Sequence, residues 1–217
     1  MDKEALRRAL EMRAYPRSNG YDPVWILDNL MGPNVLWLTE ALTKVINLKA
    51  GMRVLDLGCG KAISSIFLAK EFNVSVWAAD LWIPATENWE RIKEANVEAK
   101  VFPIHAEAHD LPFAHGYFDV ILSMDAYHYF GTADLYLNYL APFLKEGGQL
   151  GIVVPGLVSE FKELPKHLKP HWPSDFWSFH SPQWWQRHWE RSGHLKVEHA
   201  DTVPNGWKDW LTWLDVC

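Results

Sequence analysis

Between residues 52 and 154, short apolar runs alternate with stretches of helical periodicity, and this alternation narrows the choice of fold more than any other feature. Met52-Arg53-Val54-Leu55-Asp56-Leu57 is a strand-like run that enters the tight turn Gly58-Cys59-Gly60. Helical spacing returns over residues 62–72 through Ile63, Ile66, Phe67 and Leu68. Strands are then predicted at 74–80, 99–105, 117–124 and 149–154, with helices at 86–95 and 135–144 and a turn at 145–148. Strands separated by helices of about 10 to 15 residues require a parallel sheet covered on both faces. The expected fold class is therefore α/β: a three-layer, Rossmann-like, mostly parallel sheet in one domain over residues 1–217, with its core at 50–155.

The flanks read differently. Residues 2–14 and 33–46 are expected to be helices, the second opened by Gly32-Pro33-Asn34, and together 1–49 form a helical lid. The segment 157–180 is an insert rich in Pro, His and aromatic residues, without clear periodicity. Ser181-Pro182 starts another helix with an N-cap and a proline at the first helical position, running to about Ser192-Gly193. Residues 194–203 read as one more strand, and Trp207, Trp210 and Trp213 are spaced for a terminal helix.

Composition removes several functions. At 48% hydrophobic and 22% charged residues the chain is globular. It has no apolar run near the roughly 18 residues of a membrane span. The mixed-charge start Met1-Asp2-Lys3-Glu4 argues against a secretory signal, and two distant cysteines, Cys59 and Cys217, argue against a disulfide framework. A cytoplasmic location is the expectation. A net charge of −6 argues against a nucleic-acid partner, whose phosphates call for concentrated Lys and Arg. The ten His show no tight spacing with Cys or acidic partners, so no metal is expected.

The glycine turn carries the chemistry. Glycines between strand and helix let a ligand approach the backbone closely, in a pattern that is neither Gly-x-Gly-x-x-Gly nor a P-loop. Asp56 stands just before them. A carboxylate there would repel a pyrophosphate and welcome a ligand with an ammonium and a sulfonium, which describes S-adenosyl-L-methionine. Twenty residues beyond Gly60, Asp80 ends the next strand, where a carboxylate can accept from both ribose hydroxyls. An acidic side chain in the segment 106–113, after the third strand, can accept from an adenine amino group.

Leu55-Asp56-Leu57-Gly58-Cys59-Gly60, Asp80, the segment Ala106-Glu107-Ala108-His109-Asp110-Leu111-Pro112-Phe113 and Tyr117-Phe118-Asp119-Val120-Ile121-Leu122-Ser123 resemble, in order and spacing, the class I S-adenosylmethionine-dependent methyltransferases, in particular the small-molecule group with a Leu-Pro-Phe loop. The resemblance implies that Asp56 and Gly58 line the methionine end, that Cys59 and Gly60 also bind the cofactor, and that Asp80 holds the ribose. It implies further that Leu81 and Trp82 flank the adenine, that Glu107 and Ala108 meet its edge, and that Met124 sits by the cofactor. S-adenosyl-L-homocysteine would be the product. Two features depart from the family: Ala62 stands where a glycine is frequent, and only one strand, at 194–203, represents the usual terminal antiparallel pair. A chain that stops short of its last strand is the expectation.

On the acceptor side, residues 125–130 follow the fourth strand and should border the crevice at the strand ends. His128 is the candidate base, with Tyr127 and Asp125 as competing polar groups. Aromatic residues of the two lid segments, Tyr15, Tyr21, Trp25, Trp172 and Trp177 among them, could cage an amine or enclose an apolar or aromatic acceptor. The alternatives are an RNA or protein methyltransferase and a non-catalytic S-adenosylmethionine-binding module. A nicotinamide dehydrogenase is disfavoured by the charge at Asp56.

Overall fold

The computed structural model describes residues 1–217. Five parallel strands form one sheet in the order β3-β2-β1-β4-β5: β1 Arg53–Leu57, β2 Ser75–Asp80, β3 Val101–His105, β4 Phe118–Met124 and β5 Leu144–Val153. The order reverses direction between β1 and β4, which opens a crevice at the carboxyl ends of these strands. Pro103 lacks an amide donor and is accommodated in β3, an edge strand.

The strand periodicity of two splits the core. Val54, Val76, Val120, Leu122 and Met124 face one side, packing on α3 (Val35–Leu42), α4 (Ile63–Phe72) and α5 (Ala85–Glu94). Leu55, Leu57, Ala79 and Ile121 face the other, packing on α6 (Tyr136–Leu140) and α7 (Pro182–Glu190). A third cluster joins α1 (Lys3–Leu10), α2 (Pro23–Asp28), α3 and α8 (Gly206–Leu214) through Leu6, Leu10, Tyr15, Ile26, Trp37 and Trp213. No helix is long and apolar enough to cross a membrane.

Local chemistry explains the boundaries. Asp2, Asp22, Asn34 and Ser181 each accept a backbone N–H at a helix start, and Asn73, in the left-handed region, ends α4. The expected helix at 33–46 shortens to α3: Asn34 caps its start rather than lying in its interior, and the chain leaves the helix at Thr43 through turns at 43–45. The expected helix at 135–144 is α6 followed by the short 3-10 turn Ala141–Phe143, and the turn at 145–148 is absorbed as an irregularity of β5, with Gly147 at φ 72°.

One expected element is missing. Residues 194–203 form no ladder with any strand, although the alternation half-buries Leu195 and Val197. Leu195 packs on the core at the α7 side and Val203 on the opposite one, so the segment crosses between two clusters instead of running beside β5. The sheet accordingly ends at β5.

Candidate active site

A cavity of about 320 Å³ opens at the switch point, inside the range of about 300–1,000 Å³ usual for small-ligand sites. Four of the five strand ends contribute to its wall: Leu57 to Lys61 after β1, Ala79 to Trp82 at β2, Ala106 to His109 after β3, and Met124 to Ala126 at β4. Its roof is residues 29–35, with Ile26 and Trp213 behind them.

Two glycines of the turn are required by geometry. Gly58 has φ 73°, and a Cβ there would fall 2.4 Å from the Cβ of Ala126. Gly60 has φ 54°, and its Cβ would fall 2.8 Å from Sδ of Met31 in the roof. The left-handed backbone continues at Ala62, φ 58°, which explains why a glycine suits that position and why alanine leaves some strain in the loop.

Asp80, 8% exposed, anchors the loop. One carboxylate oxygen accepts from Gly60 N–H at 2.7 Å, the other from Trp82 and Ile83 N–H at 2.7 and 2.9 Å. Three bonds leave acceptor capacity on the carboxylate for one further donor. Glu107 accepts from the His109 amide at 2.9 Å, with the imidazole Nδ1 2.8 Å away, and these contacts hold its carboxyl below the ordinary range.

Asp56 does not line the cavity. The alternation of β1 turns it toward α4, fully buried, where one oxygen accepts from the hydroxyls of Ser64 and Ser65 at 2.6 Å each. Its other oxygen has no partner, and burial pushes its pKa up to about 6. Its carboxyl thus sits behind the loop and does not reach the cavity wall.

The β4 end reorders the three polar candidates. Asp125 lines the cavity in the left-handed region, φ 57°, and burial alone raises its pKa to about 7; no protein donor meets its carboxyl. Tyr127 and His128 do not line the cavity. Tyr127 is fully buried among Phe130, Tyr136, Trp185 and Trp189. His128 is 3% exposed between Tyr129 and Phe179, its Nδ1 unpartnered and its pKa pulled down to about 4 by burial.

The aromatic lid residues are also redistributed. Tyr15 stacks on Trp37 and donates to Asp209; Tyr21 packs on Trp25 and Phe67 and donates to Glu71. Trp172 packs within the insert against Phe176 and the largely exposed Trp177. None of these five lines the cavity; the aromatic faces at its mouth are Trp82 and Tyr129, whose ring centroids are 5.7 Å apart. Gly58, Cys59, Gly60, Leu81, Trp82, Ala108 and Met124 do line it, with Asp80 and Glu107. Sequence reasoning missed the roof residues Met31 and Gly32, and Trp213, whose helix was expected but whose destination was not; Tyr129 lies in the segment 125–130 expected to border the crevice.

The lining fits S-adenosylmethionine. Asp80, Glu107 and Asp125 present three carboxyl groups against one ammonium, that of Lys61, which donates to the Asp28 carbonyl at 3.1 Å. A phosphate would meet repulsion here, and a sulfonium or ammonium would not. The glycine cradle supplies the close backbone approach that the methionine end needs.

Comparison with known proteins agrees with this geometry. A family profile described as a methyltransferase domain matches residues 54–148. The chain is 28% identical over 151 residues to 27-O-demethylrifamycin SV methyltransferase of Amycolatopsis mediterranei, covering 61% of this chain and 56% of that one. It is 30% identical over 99 residues to fatty-acid O-methyltransferase of Mycolicibacterium smegmatis, covering 45% and 35%. The chain thus spans about half the length, or less, of these curated relatives. Among solved structures, the fold superimposes on Haemonchus contortus phosphoethanolamine N-methyltransferase 2 bound to S-adenosyl-L-methionine, with TM-score 0.66 and 21% identity over 87% of this chain and 44% of that one. It also superimposes on an S-adenosylmethionine-dependent methyltransferase of Aquifex aeolicus, with TM-score 0.56 and 22% identity over 71% and 78%. The sheet order, the glycine cradle, the acid at the end of β2 and these matches support a class I S-adenosylmethionine-dependent methyltransferase family, with the methyltransferase-domain match confined to residues 54–148.

Proposed function

We propose that the protein transfers a methyl group from S-adenosylmethionine to a small-molecule acceptor, and that Asp125 takes up the acceptor's proton. The observation that carries this reading is the Asp125 carboxyl: half-buried on the cavity wall, without a protein partner, and with burial raising its pKa to about 7. A group whose proton affinity matches the working pH is suited to proton transfer. The cofactor, when bound, supplies a methyl group already activated on a sulfonium sulfur.

The remaining work falls to the chain. Gly58 and Gly60 would cradle the methionine end, Asp80 would accept from the ribose, and Glu107 and Ala108 would meet the adenine edge. The roof over Asp125 excludes water and fixes the approach of the acceptor. Leu81, Trp82 and Tyr129 are at least half exposed at the mouth and offer apolar faces to the acceptor's body. The excess of carboxylates favours a neutral or cationic acceptor, a hydroxyl or an amine carried on an apolar frame, over an anion. The two curated relatives, named for a rifamycin precursor and for fatty acids, support a small molecule over RNA or protein.

The test is methyl-labelled S-adenosylmethionine with a panel of apolar alcohols, phenols and amines. Label should pass to at least one, and Asp125→Asn should slow that transfer by about 10²–10⁴-fold with little change in S-adenosylhomocysteine affinity. Tight cofactor binding with no transfer to any member contradicts the catalytic reading and leaves a binding module.

A further inference from the structure

The roof of the cavity is thinly held. Residues 31–33 make no backbone–backbone hydrogen bond, either as donors or as acceptors. The Gly32 carbonyl has one protein partner, the indole N–H of Trp213, at 2.8 Å and 181 positions away in the chain. Trp213 is 1% exposed, and it lines the cavity from α8.

Trp213 is itself fixed at two levels. Its ring meets Trp37 edge-on at 6.2 Å, and Trp37 stacks on Tyr15 at 5.9 Å. The Tyr15 hydroxyl then returns to α8 by donating to Asp209 at 2.6 Å, one turn before Trp213. This closed circuit of side chains fastens α8 against the N-terminal segment. On its far side Gly32 abuts the acceptor pocket, since a Cβ on Gly32 would lie 2.8 Å from Oδ2 of Asp125.

We infer that Trp213 is a positioning residue: its indole N–H latches the roof at Gly32 over Asp125, so that the C-terminal helix sets how closely the cavity shuts on cofactor and acceptor. This inference rests on the functional reading above for its consequence, though the latch itself is a property of the protein without ligand. A direct role for Trp213 in chemistry is not required, because its only polar atom is spent on the Gly32 carbonyl. Its influence on Asp125 runs through the wall that Gly32 provides. Tyr129 is the titratable neighbour that senses the Asp125 charge, and it stays in place in the variants below.

Trp213→Phe keeps an aromatic ring and removes the N–H. Two readouts follow in a variant shown to be folded by its thermal transition. S-adenosylhomocysteine should bind about three- to tenfold more weakly, the range for losing one hydrogen bond. In ligand-free protein, the Asp125 carboxyl, followed by carbon NMR across pH, should titrate at a lower pH than in the parent, because water reaches it once Gly32 is released. A merely structural tryptophan would lower the thermal transition and leave that midpoint where it was; an unmoved midpoint in folded Trp213→Phe overturns the latch. If this variant does not fold, Tyr15→Phe decides, since it removes the bond that ties Asp209 of α8 to the N-terminal segment and leaves the indole intact: the midpoint must again move toward acid, and a stationary midpoint overturns the proposal. A parent protein that ignores S-adenosylhomocysteine would defeat the functional reading instead, while the ligand-free titration still judges the latch.

Discussion

Asp125→Asn should stabilise the protein in alkaline solution while impairing it as an enzyme. The carboxyl has an ordinary pKa of 3.8 and is raised by burial to about 7. Between these values the folded state binds more protons than the unfolded state, so parent stability falls as pH rises from about 4 to about 7 and is level above. The full penalty corresponds to about 4 kcal/mol, which is an upper limit because water and local relaxation soften it. Asparagine has the same shape and tolerates the left-handed backbone at φ 57°, so strain does not confound the comparison. Its buried amide loses some hydrogen bonding to water, at about 1–3 kcal/mol. The net gain at pH 8.5 should therefore be on the order of 1–3 kcal/mol, shrinking and then reversing as pH approaches 4. Urea unfolding of both proteins at pH 4.5, 6.5 and 8.5 measures it. A stability difference that does not vary with pH would refute the reasoning, because Asp125 would then titrate normally.

His128 should behave in the opposite sense. Burial holds its imidazole near a pKa of about 4, so the contribution of the neutral ring is lost as pH falls from about 6.5 toward 4. His128→Phe should flatten this acid decline by on the order of 1–3 kcal/mol, read from unfolding at pH 5 and 7, and an unchanged decline would show the ring to be solvated. Gly58→Ala must force a Cβ to within 2.4 Å of Ala126 at a positive φ; S-adenosylhomocysteine binding by calorimetry should fall at least tenfold, an order-of-magnitude expectation for overpacking, and wild-type affinity would show that the loop yields. Ala62→Gly relieves the left-handed backbone at φ 58° and should raise stability by up to about 1 kcal/mol, visible as a higher thermal midpoint; a lower one would mean that lost chain entropy outweighs the strain.

Much of the fold was legible because a buried parallel strand and an amphipathic helix leave distinct periods, and each of β1 to β5 follows such a run. The failure at 194–203 is instructive. Alternation specifies a face but not a partner, and Leu195 and Val203 satisfy their apolar surface on two different clusters without any ladder. Asp56 illustrates the limit of reading charge from sequence. Its place before the glycines was plain, yet the alternation that buries Leu55 and Leu57 on one side turns Asp56 to the serines on the other. Asp125 and His128 lie three residues apart, yet Asp125, at a left-handed turn, lines the cavity while His128 packs between Tyr129 and Phe179, a difference that residue type and spacing do not encode. Trp213 was placed on a helix by spacing, but its bond to Gly32 spans the length of the chain, and no local pattern encodes that.

The measurement closest to the central claim is isothermal calorimetry of the ligand-free protein against S-adenosylhomocysteine and against NAD, in the same buffer. A cavity bearing three carboxyl groups beside a glycine cradle should bind the sulfur nucleoside at micromolar concentrations or below, on the order of −8 kcal/mol, and give no heat with the pyrophosphate. Binding of NAD with indifference to S-adenosylhomocysteine would contradict the account.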